Sequence, residues 1–387
     1  MKRFFSLLII LAITSLQMIA QVRTGDERTD QYLPLLKGKR VALFSNHTGL
    51  AGKKHVLDLL MDQKVNVTAI FSPEHGFRGT ADAGEHVSSS VDPVTGVPIL
   101  SMYDGNKKGP SAESMNTFDV LVVDIQDVGL RFYTYYITMI ELMESCVAYN
   151  KNVVLLDRPN PNGHYVDGPI LDMSLKSGVG GLPIPVVHGM TLGELALMAN
   201  HEGWIAGKKD CCQLTVIPCE NYTHQTPYEL PVPPSPNLPN ATSIYLYPSL
   251  CYFEATEVSL GRGTDKPFQL YGHPKMGGYA FCFIPTSRNG AKTPPQMDQW
   301  CWGKDLSNLT TEELRNMHID LTYLIDAYTR LGQGDKFFTS FFEKLIGKKD
   351  IRGMIEQGMT AQQIQATWKG DVEKFKKQRK PYLLYKE

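Results

Sequence analysis

A mostly apolar run in the first half of the chain, Phe118–Ile125 (FDVLVVDI), constrains the fold more than any other feature. A strand that is apolar on both faces belongs in the middle of a parallel sheet, because helices then cover both sides of it. Similar short runs recur along the chain, and stretches with helical spacing separate them. This alternation predicts a doubly wound α/β domain. The other predicted strands are Val41–Ser45, Val65–Ile70, Val97–Met102, Asn152–Leu156, Pro185–His188 and Leu214–Pro218, and the predicted helices are His55–Met61, Tyr133–Tyr149 and 192–203.

A proline-rich segment, Pro227–Asn240, divides the chain, with six prolines in fourteen residues. Such a segment is stiff and extended, so it predicts a boundary between a domain spanning 38–240 and a smaller α+β domain spanning 241–387. The alternative is that the segment lines a cleft. Beyond it we expect strands at Thr242–Cys251 and Gly277–Pro285, and helices at Thr310–Leu331, Asp335–Ile346 and Thr360–Phe375.

The first twenty residues have the layout of a secretory signal. Lys2 and Arg3 precede an apolar run, Phe4–Ile13, which is too short to span a membrane. We therefore predict a signal peptide at 1–20, export across the inner membrane to the periplasm, and no stable membrane insertion. The formal net charge of −1 gives no reason to expect a nucleic acid partner. The seven cysteines are interpreted as buried hydrophobic side chains, with the question of a disulfide left open.

Polar and ionisable side chains follow five of the predicted strands, at the edge of the sheet where ligands bind in α/β folds. Chance explains one or two such positions better than five, so we predict a single site at this edge. The residues are His47, then Glu74, His75 and Arg78, then Asp127 and Arg131, then Asp157, Arg158 and Asn160, and finally His188.

The loop Phe71–Gly79 (FSPEHGFRG) carries the strongest candidate for acid catalysis. A carboxyl group beside the rings of Phe71 and Phe77 is partly desolvated, which raises its pKa and suits Glu74 to general-acid work near neutral pH. From the loop alone it is equally plausible that Glu74 caps a helix or pairs with Arg78.

The segment Gln126–Tyr136 joins the central strand to its helix. Asp127 and Arg131 could hold a hydroxyl and a carboxylate of a ligand, with Tyr133 and Tyr135 as an aromatic wall. The alternative is a structural ion pair between Asp127 and Arg131, with the tyrosines in the core.

The next segment, Asp157–Gly163, offers a carboxylate, a guanidinium and an amide on a rigid loop. Such a set suits a polyhydroxylated ligand with a carboxylate, because arginine binds carboxylates bidentately. A self-contained turn held by Asp157 is the alternative. Thr191 and Glu194 fit a helix capping box better than a nucleophile elbow. No motif in the sequence calls for a metal ion or an organic cofactor, and we predict neither.

Five blocks of the sequence together resemble one known family. They are FSPEHGFRG (71–79), QDVGLRFYTY (126–135), LDRPNPNG (156–163), PSPNLP (234–239) and LGRGTDKPF (260–268). They are similar to the signature blocks of the exo-acting β-N-acetylmuramidases of the NamZ type, glycoside hydrolase family 171. The resemblance implies a Rossmann-like N-terminal domain, a smaller C-terminal domain and an active site in the cleft between them. It also implies release of N-acetylmuramic acid from the non-reducing ends of peptidoglycan fragments, in cell-wall turnover or recycling.

Glycoside hydrolysis usually requires two carboxyl groups that flank the scissile bond. Glu74 is our candidate for the acid, and Asp127 is slightly preferred over Asp157 and Glu257 as the second group. A route assisted by the acetamido group of the substrate stays open, as does the choice between retention and inversion. The cation for the lactyl carboxylate is expected to be Arg131, Arg158 or Arg262, in that order. The other predicted substrate-binding residues are His47, His75, Arg78, Tyr133, Tyr135, Asn160, His188, Glu257 and Thr264.

Two other functional classes fit the same residues. One is an exported protein that binds sugars or muropeptides without turnover. The other is an esterase or amidase that acts on cell-wall material. A Glu74→Gln variant separates an enzyme from a binding protein, because it loses hydrolysis and keeps ligand affinity only in an enzyme.

Overall fold

The computed structural model describes residues 21–73, 77, 90–100, 102–104 and 107–387. The predicted signal peptide lies outside these ranges, and so do Glu74, His75 and Arg78. Within the described residues, seven strands form one sheet in the order β11-β10-β9-β1-β4-β6-β5. All neighbours in it are parallel except β5 and β6. The strands of this half are β1 Arg40–Ser45, β2 Leu50–Ala51, β3 Lys54–His55, β4 Asn66–Phe71, β5 Ser90–Val91, β6 Pro98–Leu100, β7 Tyr103–Asp104, β8 Lys107–Lys108, β9 Val120–Asp124, β10 Asn152–Leu156 and β11 Leu214–Ile217.

The predicted α/β fold is therefore confirmed, and β9 is buried along its whole length as its apolar run requires. The chain passes from β1 to β4 and β6 on one side, then crosses back to β9 on the other side of β1. A ligand crevice is expected beyond the carboxyl ends of strands at such a reversal. The helices of this half are α1 Thr29–Leu36, α2 Val56–Asp62, α3 Ala112–Met115, α4 Tyr135–Ala148 and α5 Leu192–His201. The capping box predicted for Thr191 and Glu194 begins α5.

The C-terminal half is a small antiparallel sheet surrounded by helices, as the sequence predicts. Its strands, in the order β12-β14-β13, are β12 Leu270–His273, β13 Phe281–Phe283 and β14 Cys301–Asp305. Its helices are α6 Ala241–Leu250, α7 Thr311–Asn316, α8 Thr322–Leu331, α9 Phe341–Ile346, α10 Ile351–Glu356, α11 Ala361–Ala366 and α12 Lys369–Arg379. Short 3-10 helices lie at Gly25–Glu27, Met173–Leu175, Cys251–Ala255, Gly334–Lys336 and Lys380–Tyr382.

Two of the predicted strands are wrong. Residues 241–250 form α6, whose N-terminus is capped by the side chain of Asn240. Residues 243–250 are all buried, so this helix has no polar face and shows no helical period in the sequence. Residues 185–188 form only isolated bridges, which join Val187 to Leu130 and to Asp167.

Both halves share one hydrophobic core, which contains residues of α4, α5, α6 and the C-terminal helices. A second cluster covers the opposite face of the large sheet. The last residues of the chain return to the N-terminal half, where the backbone N–H of His224 donates to the carbonyl of Lys386 at 2.8 Å. All seven cysteines are free thiols. None of the helices in the described ranges is long and apolar enough to cross a membrane.

Candidate active site

The loops that leave β1 and β9 meet at the reversal point of the sheet. The backbone N–H of Gln126 donates to Oγ1 of Thr48 at 3.0 Å, and Nδ2 of Asn46 donates to the hydroxyl of Tyr135 at 3.2 Å. Thr48 is itself held by the side chain of Asn46, whose Oδ1 accepts its N–H at 2.9 Å. The two loops therefore form one hydrogen-bonded unit at the edge of the sheet where a ligand is expected.

Asp127 sits in this unit with one carboxylate oxygen engaged and one unengaged. Its Oδ1 accepts the N–H of Gly129 at 2.7 Å, whereas its buried Oδ2 has no hydrogen-bond partner among the described residues. Burial raises the pKa of Asp127 to about 7, although nearby backbone N–H groups, including that of Tyr136 in the first turn of α4, oppose this rise. A carboxyl group that titrates near neutral pH can serve as a general acid or base.

The side chains of Asn160 and Asn162 pack against the loop that carries Asp127 and hold it in place. Gly129 has φ +75°, and a side chain there would lie 2.1 Å from Nδ2 of Asn160. Nδ2 of Asn162 donates to the carbonyl of Val128 at 2.9 Å, and Oδ1 of Asn160 accepts the N–H of Asn162 at 2.8 Å. Asn160, predicted to bind substrate, therefore supports the loop through its side chain.

A cavity of about 300 Å³ opens between the two halves of the chain. Tyr133 and Tyr135 form one wall, with their ring centroids 4.6 Å apart. The C-terminal half contributes Arg262 to the cavity. Aromatic walls with a few polar groups are typical of small-molecule sites. The remaining lining residues are Phe132, Thr134, Val179, Ser235, Asn237, Leu238, Tyr247, Glu254, Phe268 and Phe341.

The proline-rich connector is fastened to this site by its carbonyl groups. Nε2 of His47 lies 2.8 Å from the carbonyl of Pro233. The hydroxyls of Tyr133 and Tyr135 both donate to the carbonyl of Pro234, each at 3.0 Å. The connector thus brings Ser235 and Asn237 into the cavity wall, which favours the cleft-lining alternative for this segment. His47, predicted to bind substrate, anchors the connector.

Arg262 is the predicted arginine that reaches the cavity. Its Nε donates to Oε1 of Glu254 at 3.1 Å, Nη2 donates to the same oxygen, and its guanidinium lies 5.1 Å from the ring centroid of Phe268. Burial alone would lower the pKa of Arg262, but the Glu254 carboxylate outweighs it and raises the pKa. Within the described residues Nη1 makes no hydrogen bond, and about a fifth of the side chain, 21%, is exposed. A carboxylate of a ligand can therefore reach this cation.

Arg131, the arginine preferred from the sequence, is completely buried. Its Nη1 donates to the carbonyl of Pro169 at 2.6 Å and its Nη2 to that of Leu345 at 2.9 Å. Leu345 is in the last turn of α9, where the negative end of the helix dipole stabilises a nearby cation. Burial lowers the pKa of Arg131 to about 10, so it stays charged at neutral pH. Among the described residues, Arg131 joins the two halves of the chain through backbone carbonyls and has no carboxylate partner, so the alternative pair with Asp127 is not formed.

Arg158 is likewise sequestered, in a buried triad with Asp26 and Asp124. Its Nε and Nη2 donate to the two oxygens of Asp124 at 2.6 and 3.0 Å, and Nη2 also donates to Asp26 at 2.5 Å. Burial would lower the pKa of Arg158, but the two carboxylates raise it above its usual value. The triad fastens the N-terminal segment to the end of β9. Nη1 of Arg158 donates to the carbonyl of Leu50 at 3.4 Å, and only 3% of the side chain is exposed, so burial separates this cation from a lactyl carboxylate.

Asp157, a predicted catalytic residue, accepts hydrogen bonds from structural donors at both carboxylate oxygens. Its Oδ2 accepts the hydroxyls of Thr191 and Tyr385, each at 2.6 Å, and its Oδ1 accepts the N–H of Gly193 at 2.9 Å. Burial raises its pKa to about 6, while these hydrogen bonds oppose the rise. Asp157 therefore ties the C-terminal tail and the start of α5 to β10, which is a structural role.

Three further predicted residues do not line the cavity. His188 is buried, with Nδ1 accepting the N–H of Met190 at 3.2 Å, and burial lowers its pKa to about 3. Glu257 is exposed and accepts a hydrogen bond from Gln333 at 3.3 Å. The hydroxyl of Thr264 donates to the carbonyl of Gly261 at 2.7 Å within a turn.

Glu254 is a cavity residue that the sequence reading missed. Tyr247, Cys251 and Glu254 are four and three residues apart, a spacing that puts side chains on one face of a helix. This helical spacing was not recognised because a strand was predicted at 242–251. Among the described residues, no three histidine, cysteine or acidic side chains are grouped closely enough to hold a metal ion.

Comparison with known proteins gives matches along nearly the whole chain. The family model described as "Exo-beta-N-acetylmuramidase NamZ, N-terminal" matches residues 41–242, and the corresponding C-terminal model matches residues 245–385. A peptidoglycan β-N-acetylmuramidase NamZ of Bacillus subtilis is 37% identical over 385 residues, covering 94% of this chain and 92% of that protein.

Two crystal structures of DUF1343 family proteins of Bacteroides fragilis have the same fold. One is 60% identical, with a TM-score of 0.89, and the match covers 95% of this chain and 100% of that one. The other is 27% identical, with a TM-score of 0.78, and the match covers 94% of this chain and 99% of that one.

Proposed function

The chain belongs to the NamZ family of exo-β-N-acetylmuramidases, and on that premise we propose that it releases N-acetylmuramic acid from the non-reducing ends of peptidoglycan fragments. The observation that carries this proposal is the cavity between the two halves, with an aromatic wall on one side and Arg262 on the other. The cavity volume of about 300 Å³ is at the small end of the range for ligand sites and suits a single sugar.

Muramic acid differs from glucosamine by its lactyl ether, which carries a carboxylate. We propose that Arg262 binds this carboxylate through its unengaged Nη1, while Glu254 fixes the orientation of the guanidinium. The burial of Arg131 and Arg158 supports this assignment, because neither could reach a ligand without breaking its own network. A partly buried, pre-oriented guanidinium loses less entropy on binding than a free one.

For the chemistry, we propose Glu74 as the acid that protonates the leaving oxygen and Asp127 as the second carboxyl group. Glu74 lies outside the described residues, so its support is the sequence of its loop. Asp127 has a buried, unengaged oxygen and a pKa of about 7, raised by burial. Its charge also acts on the hydroxyl of Tyr133, a residue of the cavity wall. The two carboxyl groups required for glycoside hydrolysis are thus assigned to loops after β4 and β9.

We also propose that the protein is exported and acts in the periplasm, in turnover or recycling of the cell wall. The support is the sequence of residues 1–20, with two basic residues before an apolar run of signal-peptide length. Peptidoglycan fragments would then reach the enzyme without crossing the inner membrane.

The test is to incubate the mature protein with the disaccharide of muramic acid and glucosamine and to identify the released sugar and its initial anomer. We expect free N-acetylmuramic acid from the wild type, and none from Glu74→Gln at unchanged affinity for the disaccharide. Affinity without any product from the wild type would favour a binding protein. Ester or amide products without free sugar would favour the esterase or amidase alternative.

A further inference from the structure

Two exposed tryptophans lie two residues apart in the sequence, one just before β14 and one in it. Trp300 is 56% exposed and Trp302 is 37% exposed, and Met297, just before them, is 38% exposed. Isolated exposed apolar side chains are ordinary on a protein surface, but a contiguous group of them indicates a contact surface. Trp300 and Trp302 take no part in the site described above.

The two tryptophans flank Cys301, the first residue of β14. Trp302 lies on β14, the central strand of the sheet, directly opposite His273 on β12 and Cys282 on β13. Trp300 directly precedes β14, and Cys301 between the two exposed tryptophans is buried. This alternation continues the pattern of an extended chain, in which side chains two residues apart project to the same face, about 7 Å apart. That separation is on the scale of successive sugar rings in a glycan chain.

The segment that leads to Trp300 is fastened to the walls of the cavity. Between β13 and β14, the N–H of Thr286 donates to the carbonyl of Gly263 at 2.9 Å, next to Arg262. Further along, the carbonyl of Gly290 accepts a hydrogen bond at 2.8 Å from Nδ2 of the cavity residue Asn237. The tryptophans are therefore at the end of a segment that starts at the rim of the cavity.

Resting on the function proposed above, we propose that Trp300 and Trp302 form a stacking platform for the part of the glycan chain that extends beyond the sugar in the cavity. An exo-acting enzyme encloses the terminal sugar, and the remaining sugars must leave the cavity over the surface. Pyranose rings present apolar C–H faces that pack on indole rings, and the indole N–H groups can donate to sugar hydroxyls.

The platform predicts that chain length decides the effect of removing it. We expect the double variant Trp300→Ala and Trp302→Ala to keep the wild-type kcat/KM on the muramic acid–glucosamine disaccharide. On soluble glycan strands of eight or more sugars, we expect kcat/KM to fall about tenfold, from the apolar area that two indoles bury. The variant Trp302→Phe keeps an aromatic ring, so its kcat/KM on long strands should lie between those of the wild type and the double variant.

Tyr149→Ala is the matched control, because Tyr149 is also exposed, at 38%, but follows the far end of α4, about 20 Å along the helix axis from Tyr135. It should leave both substrates unaffected. Equal losses on the disaccharide and the long strands, or no loss on either, would overturn the platform. If the wild type hydrolyses neither substrate, the proposed function fails by itself. The platform is then tested by quenching of tryptophan fluorescence with long strands, and it is refuted if the double variant is quenched as strongly as the wild type.

Discussion

Substitution of Arg158 tests whether this arginine has a structural role or binds the substrate. In Arg158→Met, a side chain of similar length replaces the guanidinium and leaves Asp26 and Asp124 without their cation. Both carboxylates are fully buried, with 0% side-chain exposure, and Arg158 donates to them at 2.5, 2.6 and 3.0 Å. Breaking a buried ion pair by removing one partner costs about 3–5 kcal/mol. We therefore expect the free energy of unfolding at pH 8 to fall by about this amount.

The loss should depend on pH in a definite direction. Burial already raises the pKa of Asp26 to about 7 and that of Asp124 above its usual value, and Arg158 opposes both shifts. Without Arg158 both pKa values rise further, so the folded variant keeps these protons to a higher pH than the folded wild type does. The stability deficit of the variant relative to the wild type should therefore be smallest at acid pH and should grow as the pH rises through about 7.

Urea unfolding followed by tryptophan fluorescence, at pH 5.5 and pH 8, measures both effects. The control is Arg40→Met, because Arg40 makes the same kind of pair with Asp119 on the surface, with 45% and 38% of the two side chains exposed. An exposed pair contributes less than about 1 kcal/mol. If Arg158→Met unfolds like the wild type and instead loses affinity for muramic acid, the structural role of Arg158 is refuted.

Three further substitutions test the site and its supports. Asp127→Asn should lower kcat/KM by about 10²–10⁴. The substitution should also raise the free energy of unfolding at pH 8 by at most about 4 kcal/mol. The reason is that a buried carboxyl group whose pKa is raised from 3.8 to about 7 destabilises the fold as the pH rises through that window. A fully active variant would exclude the catalytic role of Asp127. Tyr385→Phe removes the hydroxyl that donates to Asp157 and should lower the free energy of unfolding in urea by about 1.5–3 kcal/mol. KM should stay unchanged, and a large change in KM would place Asp157 near the substrate. Gly129→Ala should destabilise the fold by more than about 1 kcal/mol and lower activity, because φ is +75° at this position and the added methyl group would clash with Asn160. Wild-type stability and wild-type activity would contradict the support of this loop by Asn160.

The sheet was predictable because its signal is local. The strands β1, β4, β9 and β10 are short apolar runs, and their burial follows from their composition. The edge strand β11 is also short and mostly apolar, but only Ile217 in it is buried. Helix α6 was not predictable in this way. It is rich in tyrosine and contains Pro248, features that favour a strand or a break, and the fully buried segment 243–250 hides its periodicity. Tertiary packing decided its structure.

The positions of the site residues were predictable to the level of the loop, but their roles were not. Sequence alone cannot distinguish Arg131, Arg158 and Arg262, because the difference lies in what surrounds each guanidinium. Arg131 meets three backbone carbonyls and Arg158 meets two carboxylates, through contacts 34 to 214 residues apart in the chain. Glu254 was missed because its link to Arg262 depends on α6 and the turn after it.

The most direct test of the account compares two chromogenic β-glycosides that differ only in the lactyl ether, one of N-acetylmuramic acid and one of N-acetylglucosamine. The wild type should strongly prefer the muramic acid glycoside. Arg262→Met should lose about 10²-fold of that preference, because the lactyl carboxylate loses its cation, while the low activity on the glucosamine glycoside stays unchanged. An unchanged preference in Arg262→Met would contradict the claim that this cavity recognises muramic acid through its carboxylate.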